Sequence, residues 1–71
     1  MNANVPQGRL AVLRYETPDF VVLEPGDHVL CAVTGQRIPL EALTYWDAEA
    51  QEAYASAVEA TTAALRRRRR R

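Results

Sequence analysis

The sequence predicts an α+β fold: a small three-stranded antiparallel sheet, with room for a short fourth edge segment, packed by one C-terminal helix. Three observations predict it. Three short runs of apolar and strand-favouring residues follow one another between Arg9 and Val33, each ended by a Pro or Gly turn signal. The breaks between them are too short for the crossover of a dozen residues that parallel pairing needs. From Asp47 onward the apolar residues recur at three- and four-residue steps, the rhythm of a helix.

In chain order, residues 1 to 8 are polar and aperiodic, with Pro6 and Gly8, and read as a mobile lead-in to a single domain over 9–65. Arg9 to Tyr15 forms the first strand, and Thr17-Pro18-Asp19 breaks it. Asp19 to Glu24 is the second, ended by Pro25-Gly26-Asp27, where a type II turn would take its positive φ from Gly26. His28 to Val33 is the third. Thr34-Gly35-Gln36 turns the chain, and Arg37-Ile38-Pro39-Leu40 suits an edge, where proline is tolerated. Asp47 is the predicted N-cap of the helix. Ala50, Tyr54, Ala57, Val58, Thr61, Ala64 and Leu65 form its shallow apolar stripe, with Glu49, Glu52, Ser56 and Glu59 mainly away from it.

Composition sets limits on function. A domain of ~60 residues buries only about 60% of the surface its unfolded chain exposes, so little room is left for a closed pocket. The single cysteine, Cys31, has no internal disulfide partner, which points to a reducing interior. The first six residues lack the basic head and apolar stretch of a secretory signal. The longest apolar runs, Phe20 to Leu23 and Val29 to Val33, fall far short of the ~20 residues of a transmembrane helix. A cytoplasmic protein without a transmembrane segment is expected.

The formal net charge of zero hides a segregation. Six of the nine basic residues form the terminal run Arg66, Arg67, Arg68, Arg69, Arg70 and Arg71, and there is no lysine. Residues 1–65 carry three arginines against nine acids, a net charge of −6, so an acidic body bears a cationic tail. Those six cations are the candidate anion contacts. No aromatic residue is interleaved with them, so any nucleic acid would be met at its backbone, without sequence preference.

Catalysis finds no template. The only histidine, His28, lies three residues from Cys31, on the opposite face of a regular strand, and the acids form no paired arrangement. Cys31 reads as a small buried apolar residue, since no lysine or arginine cluster stands near to lower its pKa. His28 reads as a solvated strand end. The chain is expected not to be an enzyme and to need no cofactor.

Binding is better supplied. Phe20 and Val22 alternate with Val21 and Leu23, and Val29, Cys31 and Val33 with Leu30 and Ala32, so both sheet faces read as apolar. One helix covers one face. The other falls to the Ile38 to Trp46 segment, to a second copy, or to a partner. The candidate partner surface is Leu30, Pro39, Tyr45 and Trp46, although an aromatic pair before a helix also suits packing onto the core.

The segment Cys31-Ala32-Val33-Thr34-Gly35-Gln36-Arg37-Ile38-Pro39-Leu40 resembles the first knuckle of the DksA/TraR-type zinc finger, Cys-x-x-Cys-Gly-x-x-Ile-Pro. Thr34 stands where the second cysteine would be. Zinc takes four ligands in a tetrahedron, and His28 and Cys31 are the only His or Cys present, so the resemblance implies a degenerate zinc ribbon without metal, or coincidence. A wider resemblance runs through Arg14-Tyr15, Asp19-Phe20, Pro25-Gly26, Cys31-Ala32-Val33-Thr34-Gly35, Ile38-Pro39-Leu40, Leu43, Tyr45-Trp46 and Gln51-Glu52-Ala53-Tyr54. It is similar to a family of small bacterial proteins known as a domain of unknown function, which implies a bacterial origin and carries no activity with it.

The reading that follows is a non-catalytic adaptor that contacts a larger protein assembly through an apolar sheet face and the Pro39–Trp46 segment. The alternative is a nucleic-acid-associated factor of the transcription or translation machinery that uses the arginine tail. A third is an enzyme fragment that supplies residues to a composite site.

Overall fold

Among the described residues there are six short strands and one helix: β1 (Val12–Tyr15), β2 (Phe20–Glu24), β3 (His28–Leu30), β4 (Arg37–Pro39), β5 (Tyr45–Asp47), β6 (Glu52–Tyr54) and α1 (Ala57–Arg69), with a 3-10 turn at Leu40–Ala42. The computed structural model describes residues 8–69, so most of the expected lead-in and the last two arginines lie outside the described residues.

The fold is α+β, but the strands do not form one sheet. They pair two by two, as three antiparallel hairpins β1–β2, β3–β4 and β5–β6. The expected three-stranded sheet fails at the turn after β2. Instead of folding β3 back along β2, Pro25-Gly26 runs against the start of the chain: Asp27 N–H donates to the Arg9 carbonyl at 3.0 Å, and Ala11 N–H to the His28 carbonyl at 2.8 Å. Leu10 and His28 form a parallel bridge there. Gly26 permits this by having no side chain, because a Cβ would sit 2.4 Å from the Ala11 nitrogen. Its role is close approach rather than the positive φ that the turn signal suggests; Gly8 and Gly35 are the glycines with positive φ.

The helix also differs. The segment from Asp47 to Tyr54, expected to be helical, is the third hairpin. Asp47 Oδ1 accepts N–H from Glu49 at 2.8 Å and from Ala50 at 3.0 Å, the local pattern of an N-cap. Gln51 then takes a left-handed φ of 57°, and the chain reverses into β6. The true cap is Ser56, whose Oγ accepts the Val58 N–H at 3.2 Å and bonds the Glu59 carboxylate, while its carbonyl receives the Ala60 N–H at 3.1 Å. The register of Ser56 and Glu59 is that of a capping box.

A cluster of Ala11, Tyr15, Val29, Cys31, Ile38, Leu43 and Ala53 forms the core, with Leu13, Phe20, Val33, Leu40, Trp46 and Ala55 packed around it. Each hairpin turns one face toward this cluster. The Val29–Ile38 pair supplies it from β3 and β4, each side chain contributing about 1.5–3 kcal/mol by its burial. The extents of 45 × 21 × 15 Å and a radius of gyration of 12.7 Å exceed the ~11 Å of a compact chain of this size. A row of hairpins on a thin core leaves much apolar surface outside it.

Helix α1 docks by a different face from the one its apolar stripe predicts. Ala63 is buried, whereas Val58 is 69% and Leu65 50% exposed, and Ala57, Thr61 and Ala64 are exposed with them. A polar anchor sets this orientation. Asp47 and Glu52 stand directly opposite each other in the β5–β6 pair, a like-charge arrangement that is unfavourable alone. Arg67 answers both, with Nη2 at 2.7 Å from Asp47 and Nη1 at 3.5 Å from Glu52, and it also donates to the Tyr54 hydroxyl at 3.2 Å. One member of the arginine run is therefore a structural lock. Among the described residues, no helix is long and apolar enough to cross a membrane.

Candidate functional site

The outer face of the second hairpin holds two of the four residues expected to meet a partner, Leu30 and Pro39. Alternation sends Val29 and Ile38 inward and puts the pairs His28–Pro39 and Leu30–Arg37 on the other side. The bridge to β3 adds Leu10 beside His28, so one row reads Leu10, His28, Pro39 and the next Leu30, Arg37. Leu10 is 48% and Leu30 46% exposed, and Pro39 and Arg37 are exposed with them.

Between Leu10 and Pro39, His28 is buried rather than solvated at a strand end. Its Nδ1 lies 2.6 Å from Asp27 Oδ1, and Asp27 Oδ2 accepts the Gly8 N–H at 2.6 Å. The bond from His28, and after it that from Gly8, hold the Asp27 carboxyl below the usual carboxylate range. This pair fixes the imidazole and binds the chain before β1 to the start of β3. It works as a support under an apolar ledge.

Tyr45 and Trp46 do not form a recognition pair. Being adjacent on a strand, they point to opposite faces. Tyr45 is 43% exposed beside Tyr54, while Trp46 packs against Tyr15 at 6.3 Å between ring centroids and edge-on against Phe20 at 5.5 Å. Its indole N–H donates to the Glu16 carbonyl at 2.8 Å, joining the third hairpin to the first. Of the four residues expected to meet a partner, Leu30 and Pro39 share one face, Tyr45 is exposed on another hairpin, and Trp46 serves the core. Leu10 joins Leu30 and Pro39 without a sequence signal, since only the bridge to β3 brings it there.

Cys31 closes the turn after β3: its carbonyl accepts the Gly35 N–H at 2.9 Å, and its own N–H reaches the Gln36 carbonyl at 2.9 Å. The side chain is buried. Burial pushes the thiol up, but the Thr34 hydroxyl and the backbone N–H groups of Thr34, Val33 and Ala55 outweigh it and leave the thiol below its ordinary value. Hydrogen-bond dipoles thus do what the sequence denied for want of nearby cations. Among the described residues there is no group of three or more His, Cys, Asp or Glu that could hold a metal ion.

The arginines divide into two roles. Arg67 is spent on Asp47 and Glu52, whereas Arg66, Arg68 and Arg69 are exposed and make no ion pair with any described residue. An open groove of about 530 Å³ runs between the β5–β6 turn and α1, lined by Asp47, Glu49, Ala50, Ala64, Arg67 and Arg68. It is charge-balanced: two acids face two arginines.

Residues 22–63 match a protein family described as "Uncharacterized protein conserved in bacteria (DUF2093)". No curated protein and no solved structure matches the chain. The matched span holds β3 to β6 and the Leu30–Pro39 face, and it ends before the arginine run.

Proposed function

Because that match covers more than half of its length, the chain belongs to the DUF2093 family of uncharacterized bacterial proteins, and we propose that it is a non-catalytic adaptor that binds a larger protein assembly. The exposed apolar ledge of Leu10, Leu30 and Pro39 carries this reading. Aliphatic residues held on a rigid hairpin, with Arg37 at the border, have the make-up of a small interface: an apolar centre and a polar rim. The supporting hairpin lies inside the matched span, and its part-buried His28–Asp27 pair holds the ledge in shape.

The alternative is a nucleic-acid-associated factor that uses α1. The exposure of Arg66, Arg68 and Arg69 favours it, and the acids in and beside the helix oppose it, since Asp47, Glu49, Glu52 and Glu59 offset the four arginines of α1. Co-purification from a bacterium that carries the chain, with nuclease throughout, separates the two. The variants are Leu30→Asp and the triple change of Arg66, Arg68 and Arg69 to Gln, which leaves the Arg67 lock in place. The adaptor reading expects protein partners that withstand nuclease, survive the triple change and are lost with Leu30→Asp. Loss of recovery with nuclease and with the triple change, and a log K falling against log salt by about 0.9 per phosphate contact, overturns it in favour of nucleic acid.

A further inference from the structure

The outer edge of β2 offers a second surface. This five-residue strand hydrogen-bonds to β1 alone, and Val21, Val22 and Leu23 are 38%, 47% and 53% exposed. A strand of this composition with a free edge is a template for further pairing.

The register shows which groups are free. Glu16 N–H donates to the Asp19 carbonyl at 3.0 Å, so two residues along the ladder Arg14–Val21 is the next hydrogen-bonded pair. Tyr15–Phe20 and Leu13–Val22 are then non-bonded pairs, and the backbone groups of Phe20 and Val22 point away from β1. On the opposite edge, Tyr15 obeys the same rule and is satisfied by Gln51. On the β2 edge, the Phe20 N–H meets only the Asp19 side chain, at 2.9 Å. Beyond Val22 the ladder shifts, Val12 facing Glu24 while Leu13 faces Val22, and this bulge limits the regular edge to Phe20 through Val22.

We propose that this edge pairs with β2 of a second copy, antiparallel about a two-fold axis at Val21, to give a four-stranded sheet in the order β1-β2-β2-β1. In that register Phe20 faces Val22 of the other copy twice over, and every outward group of both residues finds a partner. The exposed Asp19 carboxylate gives up the Phe20 N–H. Centring the axis on Val22 instead would oppose Phe20 to Glu24, beyond the bulge, and leave the Phe20 groups unmatched.

Charge agrees with a second copy as the occupant. About Val21, Asp19 faces Leu23 and Glu24 faces Pro18, so no like charges stand directly opposite each other. The bulge on one side and the Thr17-Pro18 turn on the other confine pairing to one short segment. A two-fold contact uses the edge of both copies, so assembly stops at the dimer. One short strand buries less than the ~800 Å² per partner of a standard interface, so the dimer forms reversibly with concentration.

Sedimentation of the full chain from ~10 µM to ~1 mM tests this, together with Val21→Lys and Val21→Glu. Val21 is exposed and faces its own counterpart across the axis, so each variant alone places like charges in direct opposition. The expected result is a concentration-dependent wild-type dimer, weakened at least ~10-fold in either variant and restored when the two variants are mixed. Melting temperatures close to wild type confirm that each variant is folded. In a second measurement, Val21→Cys is expected to form an inter-chain disulfide under oxidation much faster than Leu23→Cys. A wild-type monomer across the range, a dimer undiminished in Val21→Lys, or equal cross-linking at the two positions overturns the proposal. The Leu30 variant lies on another hairpin, so either proposal can fail without the other.

Discussion

At the scale of a single residue, Gln51 acts as a missing strand. Its Oε1 accepts the Tyr15 N–H at 2.9 Å, and its Nε2 donates to the carbonyls of Tyr15 at 2.7 Å and Ala48 at 2.6 Å. One side-chain amide thus satisfies both outward backbone groups of Tyr15, on the outer edge of β1, where the lack of a third strand would leave them unpaired. Gln51→Ala removes both partners from a part-buried peptide group and keeps an L-residue at a left-handed φ. It is expected to destabilise the fold by about 1–3 kcal/mol, read as a lower urea midpoint at unchanged slope. Gln51→Glu keeps the acceptor and loses the donor, so it should fall between the two; a wild-type midpoint for Gln51→Ala would show that water replaces the amide at no cost. Nothing local in the sequence announces this role. Positive φ favours Gly or Asn, and the contact spans 36 residues.

At the scale of elements, the helix shows what local pattern can and cannot resolve. An acid followed by free N–H groups two and three residues on is the signature of both an N-cap and an Asx turn, so Asp47 satisfies the pattern in either structure. Ser56-x-x-Glu59, a capping box, marks the real start, although both residues were expected inside a helix begun at Asp47. The breaks after Tyr15 and Glu24 were legible, because Pro and Gly punctuation is local. However, β1 starts at Val12 rather than Arg9, β3 ends at Leu30 rather than Val33, and β5 and β6 carried no strand signal. The pairing was not legible: it depends on the close approach of Gly26 to Ala11, which is a tertiary fact. The docking face was hidden for a related reason, since six identical arginines give no sign of which one lies over the Asp47–Glu52 pair. Arg67→Gln leaves those two acids opposed with no cation between them. It is expected to lower the melting temperature and the far-ultraviolet helix signal, whereas Arg68→Gln, solvent-exposed and outside the lock, leaves both near wild type. Raising the salt concentration should narrow the difference, and equal melting temperatures for the two variants would remove Arg67 from its anchoring role.

At the scale of the whole molecule, three hairpins share one thin core, so contacts between hairpins decide whether the chain folds as a unit. Several of these contacts are polar. Trp46 and Gln51 join the third hairpin to the first, and Asp27 joins the second to the residues before β1 through Gly8 and through His28. Two of the carboxylates at these joints are held below their ordinary range: Asp27 by the bond from His28 and then by Gly8, and Asp47 by the Ala50 N–H and then by Glu49 and Arg67. In the unfolded chain both return to the ordinary value of about 3.9. The folded state therefore binds fewer protons, and both groups contribute stability that is fully present above that value and lost as pH falls through it toward their folded values. Lowering the pH from about 6 to about 3 should reduce the urea midpoint of the wild type steadily. Asp27→Asn, which removes the charge and keeps an acceptor for Gly8, should start lower at neutral pH and fall less steeply, the remaining slope belonging to Asp47. Parallel pH profiles for wild type and variant would mean that the Asp27 clamp is equally strong in both protonation states, and acid unfolding would then begin at the Asp47–Arg67 lock.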